Sequence, residues 1–276
     1  MKTNHVLCPI DGSEASARAL EVAADAAATL KIPLRVFSAV EDPHEIAERR
    51  AQTDFSVASI DNDIEIAVDV TAAPHAPKAI VAFAGDDAVV VMATTTRPHV
   101  LAGYLGSATE HVIRTLHRPV VTVGPRCQHS LGEVSGVMVP CDGSEFSEEA
   151  LPVARAWADR LGVDMTVVSV LDERAADTGT GETNYVHNLA KRFNAQWDVL
   201  HGSDPAKAIA DQAADQLIVM TSHGRSGFNR LRVGSVATET TRWAQAPVVI
   251  LNPGKPDMSV DVTEVEQPEP AVSSGT

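Results

Sequence analysis

Apolar residues fall along this chain in short runs, separated by longer amphipathic stretches. Residues 5–10 are such a run, ending at Asp11-Gly12-Ser13. The pattern predicts a buried strand and then a helix, with Ser13 as N-cap before EASARALEVAADAAATL at helical period. Residues 34–40 (LRVFSAV) read as a second strand, and the alternating 64–70 (IEIAVDV) as a third. A helix is expected around 77–84, then a strand at 87–93. A polar loop, a helix from Ser107 and a strand at 119–123 follow.

The same order then recurs. A strand at 137–141 leads to Asp142-Gly143-Ser144 and the helical SEEALPVARAWADRL. Strands are expected at 164–171 and 196–200, a helix at 204–214 and a strand at 216–221. A helix runs from Ser235 to about Gln245, and PVVIL closes the unit. The recurrence is also literal. VLCPIDGS at 6–13 matches VMVPCDGS at 137–144. Gly106-Ser107 matches Gly234-Ser235, and RPVVTV at 118–123 matches APVVIL at 246–251. Matches in one order at nearly one offset indicate duplication of a whole domain, since solenoid repeats run only ~20–50 residues. The reading is a first domain at 1–126, a polar joint near 126–134, a second domain at 134–252, and an acidic, disordered tail at 253–276. From Asp257 that tail carries five acids and no base.

Strands alternating with helices imply βαβ units. The expected fold class is α/β: two tandem, doubly wound, parallel five-stranded sheets flanked by helices, Rossmann-like. Ligands in such folds sit outside the carboxyl ends of the strands.

Composition changes this picture little. Apolar residues make up 44% of the chain and aromatics only 4%, so small side chains must pack the helices against the sheet. A net charge of −15 argues against nucleic acid or anionic membrane as a partner. Cys8, Cys127 and Cys141 are odd in number and not at metal-ligand spacing, which fits a reduced, cytoplasmic protein. The first residues lack the ~7–15-residue apolar core of a signal peptide, and no run reaches the ~18 residues of a membrane span.

The densest chemical signal is VMTSHGRSGFNRLRVGSVATET at 219–240. A strand ends, Gly224 and Gly227 open a loop, and Gly234-Ser235 begins a helix. Glycines let backbone N–H groups approach an anion, and a helix N-terminus adds donors and positive dipole density. Ser235 adds a hydroxyl, and Arg225, Arg230 and Arg232 add charge. Taken singly, the same residues also describe a turn with a serine cap. Asp142, at a strand end, can accept hydrogen bonds from ribose hydroxyls or serve as a helix cap.

The strand-end Pro-x-Asp, the late Gly, nine residues, Gly-Ser, and the closing Pro-Val-Val strand resemble the universal stress protein family. Two copies in one chain resemble its tandem members, with an adenine nucleotide α-hydrolase-like fold. The resemblance spans 4–252 and implies binding of ATP, with or without Mg2+. It assigns the nucleotide site to Pro140, Asp142, Val170, Met220, Thr221, Gly224, Arg225, Gly234, Ser235 and Val236. Asp142 would hold ribose, and Val170 would lie against adenine. Thr221 stands where the family's phosphate motif has its first Gly.

In the first copy Pro9, Asp11, Ala39, Gly106 and Ser107 keep their family positions. Ala93 and Thr96 replace the two early glycines, and Pro98 stiffens the loop. Threonines resist the positive φ that Gly permits. The first copy is therefore expected to be a degenerate nucleotide site and a structural partner.

No GxxxxGK[ST], HExxH, paired CxxC or GxSxG motif is present, and Gly179-Thr180-Gly181 reads as polar loop. The expectation is a non-enzymatic stress-response or signalling module with at most weak ATP hydrolysis. An interaction scaffold with decayed sites and a nucleotidyl-transfer enzyme are the alternatives. The resemblance also implies pairing through the closing strands 119–123 and 247–251, which a tandem chain can satisfy internally as a pseudo-dimer, and a homodimer of the whole chain is left open.

Overall fold

A computed structural model describes residues 3–60, 63–94, 105–116, 118–171, 179–224 and 233–253. The acidic tail from residue 254 lies outside the described residues.

The first half runs β1 (His5–Pro9), α1 (Glu14–Leu30), β2 (Leu34–Val40), α2 (Ile46–Ala58), β3 (Ile66–Ala72), α3 (Ala76–Ala84), β4 (Ala88–Ala93), α4 (Ser107–Thr115) and β5 (Val120–Val123). The second runs β6 (Gly136–Pro140), α5 (Glu145–Glu148), α6 (Ala150–Leu161), β7 (Asp164–Leu171), α7 (Gly179–Arg192), β8 (Gln196–His201), α8 (Pro205–Ala213), β9 (Leu217–Thr221), α9 (Ser235–Trp243) and β10 (Val248–Leu251).

All ten strands form one sheet, in the order β3-β2-β1-β4-β5-β10-β9-β6-β7-β8. Each half is parallel within itself, and β5 meets β10 antiparallel, with Val121 opposite Val249. The closing strands therefore pair inside one chain, as the resemblance implied. Thr122 Oγ1 adds a 2.8 Å hydrogen bond to the Val248 carbonyl across this seam. Because the seam is antiparallel, the carboxyl ends of the two sets of strands point to opposite ends of the molecule.

Two apolar cores follow from strand alternation, one on each face, and both run across the seam. Val121 and Val249 enter one, with the alanine-rich side of α1 and with α6. Val120 and Ile250 enter the other, with α4 and α9. Alanines at 19, 23, 24, 26 and 27 are all within 1% of full burial, which sets α1 close to the sheet. Further contacts tie the halves. Gln128 N and His129 N donate to the Gln245 carbonyl, Asn252 Nδ2 donates to the Arg114 carbonyl, and the Arg126 guanidinium stacks over Trp243 at 4.1 Å. The polar joint is itself packed: Leu131 is buried, Ser130 and Glu133 form a capping box, and Gly132 N donates to Asp25 Oδ2.

Several details depart from the sequence reading, among them helix α2, which it did not include. Gly179 to Gly181 begin α7 rather than forming a loop. The predicted helix SEEALPVARAWADRL is broken into α5 and α6. Pro152 cannot donate to residue 148 and its ring crowds that carbonyl, so the backbone hydrogen bonds restart at Ala150. The third strand lies two residues later, at Ile66–Ala72.

Candidate functional site

Strands β1 and β6 are the central strands of their halves, and each ends in the same turn. Gly12 and Gly143 sit at φ 81 and 84, a left-handed conformation that costs other residues free energy. In the second half Ser144 N and Ser144 Oγ both donate to Asp142 Oδ1, at 3.0 and 2.6 Å. Ser147 N donates to Ser144 Oγ, and Asp142 N to Ser147 Oγ. The turn thereby fixes a carboxylate at the carboxyl end of β6. The first half repeats it: Ser13 N donates to Asp11 Oδ1 at 3.0 Å and Ser16 N to Ser13 Oγ at 3.2 Å. Burial opposes ionisation of Asp11, but hydrogen bonds from Ser13 and Ser16 outweigh it and hold the carboxyl below its ordinary value.

The loop after β9 is pinned at both ends. Ser222 N donates to the Leu251 carbonyl at 2.6 Å, and Gly234 N to the Ser222 carbonyl at 2.7 Å. A Cβ on Gly234 would lie 2.8 Å from that same carbonyl, so only glycine fits. Thr221 Oγ1 donates to the His223 carbonyl at 2.8 Å, and the branched side chain is absorbed in bracing the loop. Gly224 approaches Asp142 so closely that a Cβ would stand 2.1 Å from Oδ2. Helix α9 starts without a side-chain cap, and its first residues face a cavity.

That cavity has a volume of about 310 Å3. Pro140 and Asp142 line one side, Val170 and Met220 supply apolar wall, and Thr221 and Gly224 enter from the loop. Gly234, Ser235 and Val236 close it from α9, with Val236 38% exposed at the mouth. Nine of the ten residues assigned from sequence thus meet in one place. Arg225 lies outside the described residues, as do Gly227, Arg230 and Arg232.

The first half has its own cavity, of about 490 Å3. Pro9, Asp11, Ala39 and Ser107 line it. Gly106 is the N-cap of α4, at φ 107. Thr94 N and Oγ1 are bound to the Val123 carbonyl. Thr95, Thr96 and Pro98 lie outside the described residues.

The chain matches the universal stress protein family over residues 2–81 and 135–252. It belongs to that family. Its curated relatives include a universal stress protein of Mycobacterium tuberculosis, 27% identical over 194 residues, which are 62% of this chain and 64% of the relative. A second from the same organism is 28% identical over 184 residues, 59% of this chain and 58% of the relative. The chain thus spans under two thirds of the length of these relatives. Among solved structures, a universal stress protein from Archaeoglobus fulgidus shares the fold with a TM-score of 0.65 at 18% identity, covering 92% of this chain and 100% of that one. A functionally unknown protein from Pseudomonas aeruginosa gives 0.64 at 10% identity, covering 91% and 93%.

Sequence reasoning passed over several lining residues of this universal stress protein. Ser147, Ser169, Pro205 and Ile209 all reach the second cavity. Ser169 had a readable signal, because Ser38 occupies the matching place in the first copy, where its Oγ donates to the Ile10 carbonyl. Among the described residues no group of three His, Cys, Asp or Glu is placed to hold a metal, and no helix is long and apolar enough to cross a membrane.

Proposed function

We propose that the second half binds an adenine nucleotide, ATP by preference, and that the chain is a nucleotide-responsive module in stress response or signalling rather than an enzyme. One observation carries the reading: Asp142, the apolar pair Val170 and Met220, and the uncapped start of α9 at Gly234-Ser235 converge on one cavity. The carboxylate suits ribose hydroxyls, the wall suits a base, and the helix start suits phosphate. The cavity lies at the lower end of the ~300–1,000 Å3 usual for small-molecule sites. Mg2+ would take its ligands chiefly from phosphate and water. The first half supplies the other five strands and binds no nucleotide. The proposed setting is the cytoplasm, without nucleic acid or membrane as partner, and a homodimer of the chain is compatible with it.

The rival is a scaffold with a decayed site. It draws support from the closeness of Gly224 to Asp142, which leaves no room at Oδ2 until the loop shifts.

Titration calorimetry separates the two. ATP should bind the purified chain at one equivalent, with Ser235→Ala weakening and Asp142→Ala nearly abolishing it. A charged hydrogen bond is worth about 1.5–3 kcal/mol, or roughly 10- to 150-fold in Kd. These variants are cleaner than changes at Gly234, where any side chain collides with backbone. An intact fold that takes up no ATP would establish the scaffold.

A further inference from the structure

The two halves meet at an antiparallel seam, so the course of the chain after β5 can be compared with its course after β10. After β5 it passes Gly124-Pro125 and packs on α1 at Leu131. Leu131 is buried, and Gly132 N donates to Asp25 Oδ2. A Cβ on Gly132 would lie 3.0 Å from Asp25 Oδ1 and 3.5 Å from Thr29 Oγ1. The joint thus sits in a seat on α1 and leads through the buried Val134 into the second half.

The matching seat on α6 is a notch of about 20 Å3, room for one small apolar group. Ala156, Trp157 and Arg160 line it, and they stand where α1 has Asp25, Ala26 and Thr29. Leu30, Ile32, Val89 and Thr3 of the first half complete it. The polar chemistry is reversed between the two seats. Asp25 offers an acceptor to the joint, whereas the notch offers donors. Trp157 is 6% exposed, and its Nε1 has no hydrogen-bond partner among the described residues. Arg160 Nη2 donates to the Leu30 carbonyl, and Arg160 Nε is buried without a partner. Arg118 stands behind Thr3, with Nη2 donating to Thr3 Oγ1 at 3.2 Å. An apolar group accompanied by acceptors and negative charge suits this seat.

The sequence after β10 has that composition. Asn252-Pro253 repeats Gly124-Pro125 at an offset of 128, and the same offset puts Ser259 at the place of Leu131. Ser259 is flanked by Met258 and Val260, within the run Asp257-Met258-Ser259-Val260-Asp261-Val262. An extended chain of this pattern presents its apolar and acidic groups on opposite sides. The reach is the one the joint already uses. Eight residues separate Val123 from Leu131, and seven and nine separate Leu251 from Met258 and Val260.

We propose that the acidic tail docks back on α6 as the joint docks on α1, with Met258 and Val260 straddling the notch and Asp257 and Asp261 beside Arg160. Helix α6 belongs to one half and Thr3, Leu30 and Val89 to the other, so the docked tail is a second clasp between the halves.

The test uses the full chain. Under a mild oxidant, Ala156→Cys with Val260→Cys should form a disulfide within one chain. It should form at least about tenfold faster than in Ala156→Cys with Ser274→Cys, because docking raises the local concentration of residue 260 alone. The native thiols are buried and react slowly, and peptide mapping identifies the bond. Equal rates for the two pairs, or a disulfide between two chains, overturn the proposal. Hydrogen exchange gives a second reading. Amides of 257–262 should exchange at least about tenfold more slowly in wild type than in the double variant Met258→Asp, Val260→Asp. Exchange that is fast in both proteins, or slow in both, also overturns it.

Discussion

Gly124 offers a sharp test of how the halves are joined. It follows β5 directly, and a Cβ built on it would stand 2.0 Å from the Thr241 carbonyl oxygen and 3.1 Å from the Thr241 carbonyl carbon. Both are backbone atoms near the end of α9, so no rotamer change relieves the contact. The deficit against normal contact is more than 1 Å. Gly124→Ala must push α9 away from the seam or shift β5 against β10, where Thr122 Oγ1 bonds the Val248 carbonyl. Overpacking in cores costs typically about 1–3 kcal/mol, and an immovable backbone partner places this case near about 3 kcal/mol. At about 2–4 °C per kcal/mol for chains of this size, the thermal midpoint should fall by roughly 6–12 °C. Calorimetric melting of Gly124→Ala beside Gly181→Ala is the assay. Gly181 lies in α7 with nothing within 4 Å of its Cβ position, so alanine there should leave the midpoint unchanged or raise it. A Gly124→Ala protein melting with wild type would refute the tight seam.

Two further outcomes follow from ionisation. The folded-state carboxyl of Asp11 lies below its unfolded value, so its stabilising share is present above the unfolded pKa, near 3.9, and is lost as pH falls through the lower folded value. The midpoint of wild type relative to Asp11→Asn should therefore drop between pH 5 and pH 2, and a constant difference would disprove the linkage. Burial pushes the thiols of Cys127 and Cys141 up to about 11 and about 12, and Cys8 higher still. An aromatic disulfide reagent at pH 8 should label none of the three quickly in the folded chain and all three in urea, because the thiolate attacks. Rapid native labelling of Cys141 would contradict its burial.

Much of this architecture was legible because both halves spell it. The doubled VxCPIDGS-like segment, the alternation of β3 and the alanine stripe of α1 each state a local rule that the fold obeys, and α1 spans the residues its period predicts. Helix α2 was not read, because it buries Thr53 alone and has no apolar stripe. Helix α7 was obscured by a glycine-containing start. At the site, the meeting of Asp142 with Val170 and Met220 followed from strand ends. The contact between Gly224 and Asp142 did not, since residues 82 apart touch through the path of a loop that no periodicity encodes. Thr221 stands at the place of the family's first motif glycine, and the bond from its hydroxyl to the His223 carbonyl was likewise not legible in the sequence.

The antiparallel seam has a consequence for how such a chain can evolve. In a symmetric pair of identical subunits, every substitution changes both mouths at once. Here one gene encodes two mouths on opposite ends, so each can drift toward its own ligand or docking partner without touching the other. Glu110 against Thr238 and Thr96 against Gly224 are such one-sided changes. The path through the sheet from one mouth to the other crosses four residues of β5 and four of β10, all buried. A partner bound at each end would be separated from the other by the ten-stranded sheet.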